Sequence, residues 1–303
     1  MEAAKRRWMP YVFLSPYLLF YAAFGLFPIL FSFYVSLTSW DGIKGKTFVG
    51  LDNYVHLFKP GSYFFKSIGN TLLFVGIALP LQIFLGLVIA TLLYSKFVKG
   101  RGFFQLVNFM PYIVTPVAIG LMFNLMFDWQ VGIVNKLLLH FGIIDEAIYW
   151  LGEANYARIV IILMLVWKGF GYTMIFYLAG LANISKDLLE AAQVDGANAL
   201  RTFFSITLPL LRPVTMFILI TGIIGGFQLL EEPMLLFTGS NMGSTAIIGG
   251  PDRCCLTAVW NMYDTAFGST TRYGLGAAIA WGTCFIIALF SFFGVKLYKG
   301  DPE

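Results

Sequence analysis

Six apolar runs, each long enough to cross a bilayer, dominate this chain and leave it few possible folds. They cover about residues 11–37, 68–94, 103–127, 157–181, 213–237 and 274–298. A spanning helix needs about 20 mostly apolar residues. A membrane-barrel strand would be about ten residues of alternating polarity. The runs here are continuous, so they predict helices. Only 12% of the 303 residues are charged and 58% are hydrophobic, against about 25% charged in soluble domains. Such a chain has too little polar surface to face water all round. The expectation is an all-α membrane protein, with residues 1–303 forming a single transmembrane domain of six helices.

The first run follows Lys5, Arg6 and Arg7. It is longer than the apolar core of a signal peptide and has no clear small-residue cleavage site, so it is expected to be a retained helix. Basic residues set the orientation. With a cytoplasmic N-terminus, the inner segments hold Lys5, Arg6, Arg7, Lys96, Lys99, Arg101, Lys186, Arg201, Arg212, Lys296 and Lys299. The outer segments hold Lys44, Lys46, Lys59, Lys66, Lys136, Arg158, Arg253 and Arg272. The short connection 95–102 carries Lys96, Lys99 and Arg101 and no acid, and short loops weigh most in this rule. Six spans then place both termini in the cytoplasm. Pro16, Pro28, Pro80, Pro111 and Pro116 lie inside the runs and invite kinks. Gly86 and Ala90 have the spacing of close helix packing.

Several chemistries are excluded. The net charge of +4 is scattered between apolar blocks and forms no nucleic-acid stripe. Cys254, Cys255 and Cys284 show no C-x-x-C spacing, and two histidines, His56 and His140, are too few for a metal cluster. Cys254 and Cys255 read as plain loop thiols. Gly45-Lys46-Thr47 looks like the end of a phosphate loop, but Trp40 stands where its first glycine belongs. ATP binding by this chain is therefore not expected. Asn183-Ile-Ser185 matches a glycosylation sequon on the cytoplasmic side, where it has no use.

The most informative stretch is polar. Residues 183–212 form the longest cytoplasmic segment and read as two short helices. Ser185 or Asp187 can cap the first, and Asp187 with Glu190 has the form of a capping box. Gly196 can end that helix in a left-handed conformation. The second helix runs from about Asn198 to Leu208, and Pro209 and Pro213 redirect the chain. Leu188, Leu189, Phe203, Phe204 and Ile206 are left exposed, so this knob is expected to dock into a partner.

The run Glu190-Ala191-Ala192, Asp195-Gly196-Ala197, Ile206-x-Leu208-Pro209 resembles the EAA loop of binding-protein-dependent ABC importer permeases. The rest of the chain is similar to the carbohydrate class, the maltose and glycerol-3-phosphate permeases. The matching motifs are Phe48-Val-Gly-Leu-Asp-Asn-Tyr54, Asn70-Thr71, Met110-Pro111, Gly132-x-x-Asn135, Trp167-x-Gly169, Gly226-Phe-Gln228 and Tyr263-x-x-x-Phe267. Ser185 departs from the proline common there, and the segment Thr238 to Arg253 carries an insertion. The resemblance implies a type I ABC importer permease in a bacterial or archaeal cytoplasmic (inner) membrane. Its partners would be a second permease subunit, an ABC ATPase dimer that holds ATP and Mg, and an extracytoplasmic solute-binding protein. This chain itself would carry no cofactor and no catalysis. The nine coupling positions just quoted, Glu190 to Pro209, would dock on the ATPase.

Lys168, Glu231 and Glu232 fall inside apolar runs, and intramembrane charge is a functional signal by default. Each either pairs within the protein or contacts solute. In the maltose permease the solute contacts come from the fourth and fifth spans. The resemblance carries that role to Trp167, Lys168, Gly169, Tyr172, Phe227, Gln228 and Glu231, and the solute would be sugar-like. A secondary, ion-coupled transporter is the alternative. It would usually show repeated halves, and none is visible.

Overall fold

A computed structural model describes residues 2–43, 45–95, 98–238, 248–269 and 271–299. The insertion expected after Thr238 (residues 239–247), Lys44 and Lys96 lie outside the described residues, as do the side chains of Lys5, Arg6, Arg7, Lys296 and Lys299. Among the described residues the regular structure is helical apart from one short hairpin. Two compact units are distinguishable, Met1–Phe65 with Asn261–Cys284, and Lys66–Trp260 with Phe285–Glu303.

In the first unit, α1 (Glu2–Tyr21) passes through a π-helical turn (Ala22–Leu26) into α2 (Phe27–Ser36). The whole apolar stretch Tyr11–Ser36 is almost unburied, and Phe13 and Phe24 are 79% and 76% exposed. Apolar surface of that extent must face lipid or another chain. The hairpin β1 (Thr38–Ser39) and β2 (Thr47–Phe48) and helix α3 (Asp52–Leu57) follow. The Asn53 amide donates to the Ser36 and Thr38 carbonyls at 2.8 and 2.9 Å, and the Tyr54 hydroxyl meets the Ser36 hydroxyl at 2.7 Å. The motif Phe48–Tyr54 thus ties the hairpin to the end of α2.

In the second unit, α4 (Phe64–Tyr94) leads to α5 (Arg101–Ile113), α6 (Pro116–Met126), α7 (Ile133–His140) and α8 (Ala154–Ala182). After the polar segment 183–211 come α12 (Arg212–Phe227) and α13 (Glu231–Thr238). Helices α14 (Ala258–Phe267) and α15 (Tyr273–Lys299) close the chain. Among the described residues four helical stretches are long and apolar enough to cross a membrane, and six if each of two bent helix pairs counts as one span.

Two of the expected spans are broken. The run 103–127 is not one helix: α5 and α6 meet at 94°. Val114 and Thr115 are extended there, and Thr115 caps α6 by accepting from the Ala118 amide at 3.5 Å. The cause is Pro116, which pushes the residue before it out of helical geometry and then fits the first position of a new helix. The run 213–237 is likewise two helices, separated at Gln228–Leu230. Pro233 would clash with the carbonyl of Leu229 in a continuous helix, so α12 stops and α13 restarts.

Buried amides hold these pieces. Asn70 near the start of α4 donates to the carbonyls of Arg253 and Leu256 at 2.9 and 3.0 Å, and Thr71 accepts from the Ala258 amide at 3.0 Å. Asn124 on α6 donates to the Leu236 carbonyl of α13 at 2.8 Å. Asn135 binds the Ile148 backbone and accepts from the Trp150 indole at 2.8 Å. The Gly86–Ala90 spacing does allow close approach: a Cβ on Gly86 would strike Thr173 of α8, and Ala90 is fully buried. Asn70→Ala leaves two buried carbonyls without their donor. The expected cost is about 1–3 kcal/mol, read as a lowered unfolding midpoint in detergent relative to an exposed control such as Asn155→Ala.

Candidate functional site

The polar knob between the fourth and fifth apolar runs begins with α9 (Lys186–Val194). Ser185 is its N-cap residue but makes no side-chain cap bond, and Asp187 lies inside the first turn, so the capping box expected of Asp187 and Glu190 does not form. Its C-terminus is well built. Gly196 has φ +79°, the Ala197 amide donates to the Ala192 carbonyl at 2.9 Å, and the Gly196 amide donates to the Gln193 carbonyl at 3.1 Å. This is a Schellman turn, which needs a left-handed residue at that position. Asn198 caps the second helix through the Arg201 amide at 2.8 Å. That helix starts as α10 (Ala199–Thr202) and swells into a π-turn (Phe203–Thr207). It ends as α11 (Leu208–Leu210) rather than running regularly to Leu208.

Glu190, Ala191, Asp195 and Gly196 are exposed, while Ala192 is buried and Ala197, Ile206, Leu208 and Pro209 are half-buried. Leu188 and Phe204 stand in the open as expected. Leu189, Phe203 and Ile206 are partly covered. Val194 and Leu200 are 87% and 70% exposed and add apolar surface that the sequence reading left out. The cleft between the two helices is lined by Leu188, Ala192, Asp195, Arg201 and Ile206.

The second arm of the knob meets α12 at a 58° bend. Leu211 sits at that elbow, fully buried. A Cβ on Gly180, near the end of α8, would come within 2.8 Å of the Leu211 side chain and 3.0 Å of Val214. The elbow is therefore keyed into α8 by a leucine over a glycine.

Helices α8 and α12 also wall a cavity of about 250 Å³, together with α4, Tyr112 of α5 and the start of α13. Its polar lining is Gln82, Tyr112, Lys168, Tyr172, Thr221 and Glu232. Lys168 lies midway along α8 and is ion-paired with Glu232, both side chains being largely buried. The Tyr112 and Tyr172 rings stack at 4.6 Å. Gln82 is held by its amide, which donates to the Leu165 carbonyl at 2.8 Å. Glycines bring the walls together. A Cβ on Gly222 or Gly226 would strike Leu79 or Val75 of α4, and one on Gly171 would overlap the Asn108 carbonyl of α5.

Of the residues proposed for solute, Lys168, Gly169 and Tyr172 line this cavity. Gln228 and Glu231 line an adjoining recess with Val259. Phe227 is buried with its ring 6.2 Å from Phe290, and Trp167 packs against Phe123 at 5.7 Å. Neither ring lines the cavity. The partner of Lys168 is Glu232, not Glu231, because α13 packs along α6 and turns the second glutamate inward. The sequence reading missed Gln82, Tyr112 and Thr221 as lining residues. A lone glutamine inside an apolar run was the available signal for Gln82. Cys254 and Cys255 are buried with sulfurs 3.3 Å apart. Their mutual hydrogen bond, helped by Arg158, lowers the Cys254 thiol, while the same bond and burial push Cys255 well up.

Residues 82–298 match the family of binding-protein-dependent transport system inner membrane components. The chain belongs to that family. It is 33% identical to the lactose transport system permease protein LacF of Rhizobium radiobacter, over 93% of this chain and 91% of that protein. It is also 33% identical to the arabinooligosaccharides transport system permease protein AraP of Bacillus subtilis (strain 168), over 96% and 90%. Its fold matches a chain of a bacterial ABC transporter that imports the acidic polysaccharide alginate, with a TM-score of 0.80 and 22% identity, over 100% of this chain and 99% of that one. The chain is thus a multi-pass permease of the inner membrane and a transport subunit, not an enzyme.

At Gly196 only backbone conformation is at stake, since a Cβ there would meet nothing within 4 Å. Gly196→Val is expected to cost about 1–2 kcal/mol of turn strain and to lose ATPase copurification. Gly196→Asn, which tolerates the left-handed region, should retain most of it.

Proposed function

We propose that this permease forms one wall of an ATP-driven pathway that moves a sugar or sugar-like solute into the cytoplasm. Its exposed knob would dock on an ABC ATPase dimer, a second permease would supply the facing wall, and an extracytoplasmic binding protein would deliver solute. Both termini and the knob would then be cytoplasmic. The names of LacF and AraP support a saccharide.

The observation that carries this reading is the elbow at Leu211. The knob does not hang on a loose linker. Its second arm passes through a buried leucine, locked over Gly180, into the two helices that wall the Lys168 cavity. A push on the knob therefore moves α8 and α12 as packed bodies, because close-packed interiors transmit displacement. Two discrete packings of that elbow would give the two-state element that coupling requires. In the inward-facing state the cavity would open to the cytoplasm. In the other it would accept solute from the binding protein. Hydrolysis on the ATPase would reset the elbow, and the permease would do no chemistry of its own.

Three outcomes are expected. A cysteine placed at 190 is labelled by an impermeant maleimide only in inverted vesicles, and labelling in right-side-out cells contradicts the topology. Leu211→Ala still copurifies its ATPase, because the face carrying Glu190 is intact, yet solute moved per ATP hydrolysed falls severalfold. Truncating so buried a leucine costs about 2–5 kcal/mol of packing and loosens the elbow. Proteoliposomes holding the two permeases, ATPase and binding protein concentrate solute only with ATP. Accumulation by this chain alone on an ion gradient would establish the secondary-transporter reading instead.

A further inference from the structure

We infer that the solute is uncharged, and that Glu232 is the residue that makes it so by occupying Lys168. This rests on the proposed transport of a saccharide through the cavity and narrows its class.

Lys168 is the only cation in the cavity lining among the described residues, and Glu232 already holds it. The remaining polar groups are neutral: the Gln82 amide, the Tyr112 and Tyr172 hydroxyls and the Thr221 hydroxyl. The adjoining recess adds the Gln228 amide and a second carboxylate, Glu231, with no cation beside it. This wall therefore carries a balanced charge pair in the cavity and an excess negative charge at its edge. A carboxylate or phosphate leaving water here would lose its hydration and gain no free cation, and burying an unpaired charge is costly. A sugar hydroxyl faces no such penalty. It can donate to Glu232 or a tyrosine, accept from Gln82 or Lys168, and lay its C–H face against the stacked Tyr112 and Tyr172 rings. The pair also has a structural anchor. Glu232 stands in the first turn of α13, where a helix N-terminus favours negative charge, and the break at Gln228–Leu230 sets α13 against the cavity.

The test uses the complete transporter in nanodiscs with its binding protein, and reads solute-stimulated ATP hydrolysis. The neutral probes are lactose, arabinotriose and maltotriose. The anionic probes are trigalacturonate, trimannuronate and glycerol 3-phosphate. Stimulation by neutral probes alone is expected. Stimulation by any anionic probe overturns the inference. If amino acids or peptides stimulate and no probe of either panel does, the saccharide reading itself falls.

Variants then separate charge balance from direct anion recognition. Glu232→Gln and Lys168→Met each leave one buried charge unpaired and are expected to lose about tenfold or more of the stimulation, since breaking a buried pair is severe. The double variant Lys168→Met/Glu232→Gln removes both charges and should recover to within about threefold of the parent, because removing a whole buried pair is often neutral. Copurification of all subunits, measured on each variant, shows that the complex has assembled. A double variant that assembles yet is as inactive as the singles overturns the role of charge neutrality.

Discussion

In hydrocarbon there is no water to satisfy a backbone that leaves its helix. Most of this structure follows from how the chain meets that demand at the places where proline breaks its helices. Pro116 ends α5 and starts α6, and Pro233 separates α12 from α13. Each break frees amides and carbonyls. At the first, the Thr115 hydroxyl accepts from the Ala118 amide, and at the second the Thr257 hydroxyl donates to the Leu229 carbonyl at 2.6 Å. Buried side-chain amides anchor the neighbouring pieces: Asn124 reaches the Leu236 carbonyl at 2.8 Å, and Asn70 takes two carbonyls of the 253–256 turn. Within the bundle the Tyr177 hydroxyl finds Thr215 at 3.0 Å, and Thr173 bonds to the Gln82 carbonyl at 2.8 Å. These bonds let irregular backbone exist at membrane depth, and irregular backbone is what opens a cavity inside an otherwise closed bundle.

The same break supplies the cavity's chemistry. Where α12 ends, α13 begins, and its first turn carries Glu231 and Glu232. A carboxylate alone at that depth would be expensive. Lys168, on the middle of α8, offsets Glu232, while Glu231 stays in a more open recess. The glycines of α8 and α12 complete the design by letting α4, α5, α8 and α12 approach without Cβ atoms between them. Polar groups from distant parts of the chain then face one space. Mechanics and chemistry share elements, since α8 and α12 carry both the elbow at Leu211 and the cavity wall.

Much of this was legible in the sequence, because some signals are local. Apolar length alone marks helices that lie in lipid. The knob was visible from its polarity, from Gly196 in a position that only a left-handed residue fills well, and from the spacing of its exposed anchors. Asn70 and Asn135 belong to the motifs that pointed to the family, while Asn124, a lone amide in an apolar run, was passed over. Two expectations failed on local grounds that could have been weighed. Thr115-Pro116 is a helix stop followed by a helix start, and Pro233 forbids a helix through Leu229. Reading Pro116 as a kink underrated it, and Pro233 was passed over, although each acts on the residues before it as well as on its own amide.

What the sequence determined by itself was therefore the solvent, most of the helices, the family and the existence of an exposed polar knob, since each depends on composition or on residues a few positions apart. What only the tertiary structure decided was which side chains share a cavity. Gln82, Tyr112, Lys168, Thr221 and Glu232 come from five helices, and no spacing brings them together. The choice between Glu231 and Glu232 is the clearest case. Adjacent residues at a helix start point in different directions, and which one meets Lys168 depends on the angle at which α13 leaves the break. That angle is set by the packing of α13 along α6, more than a hundred residues earlier in the chain.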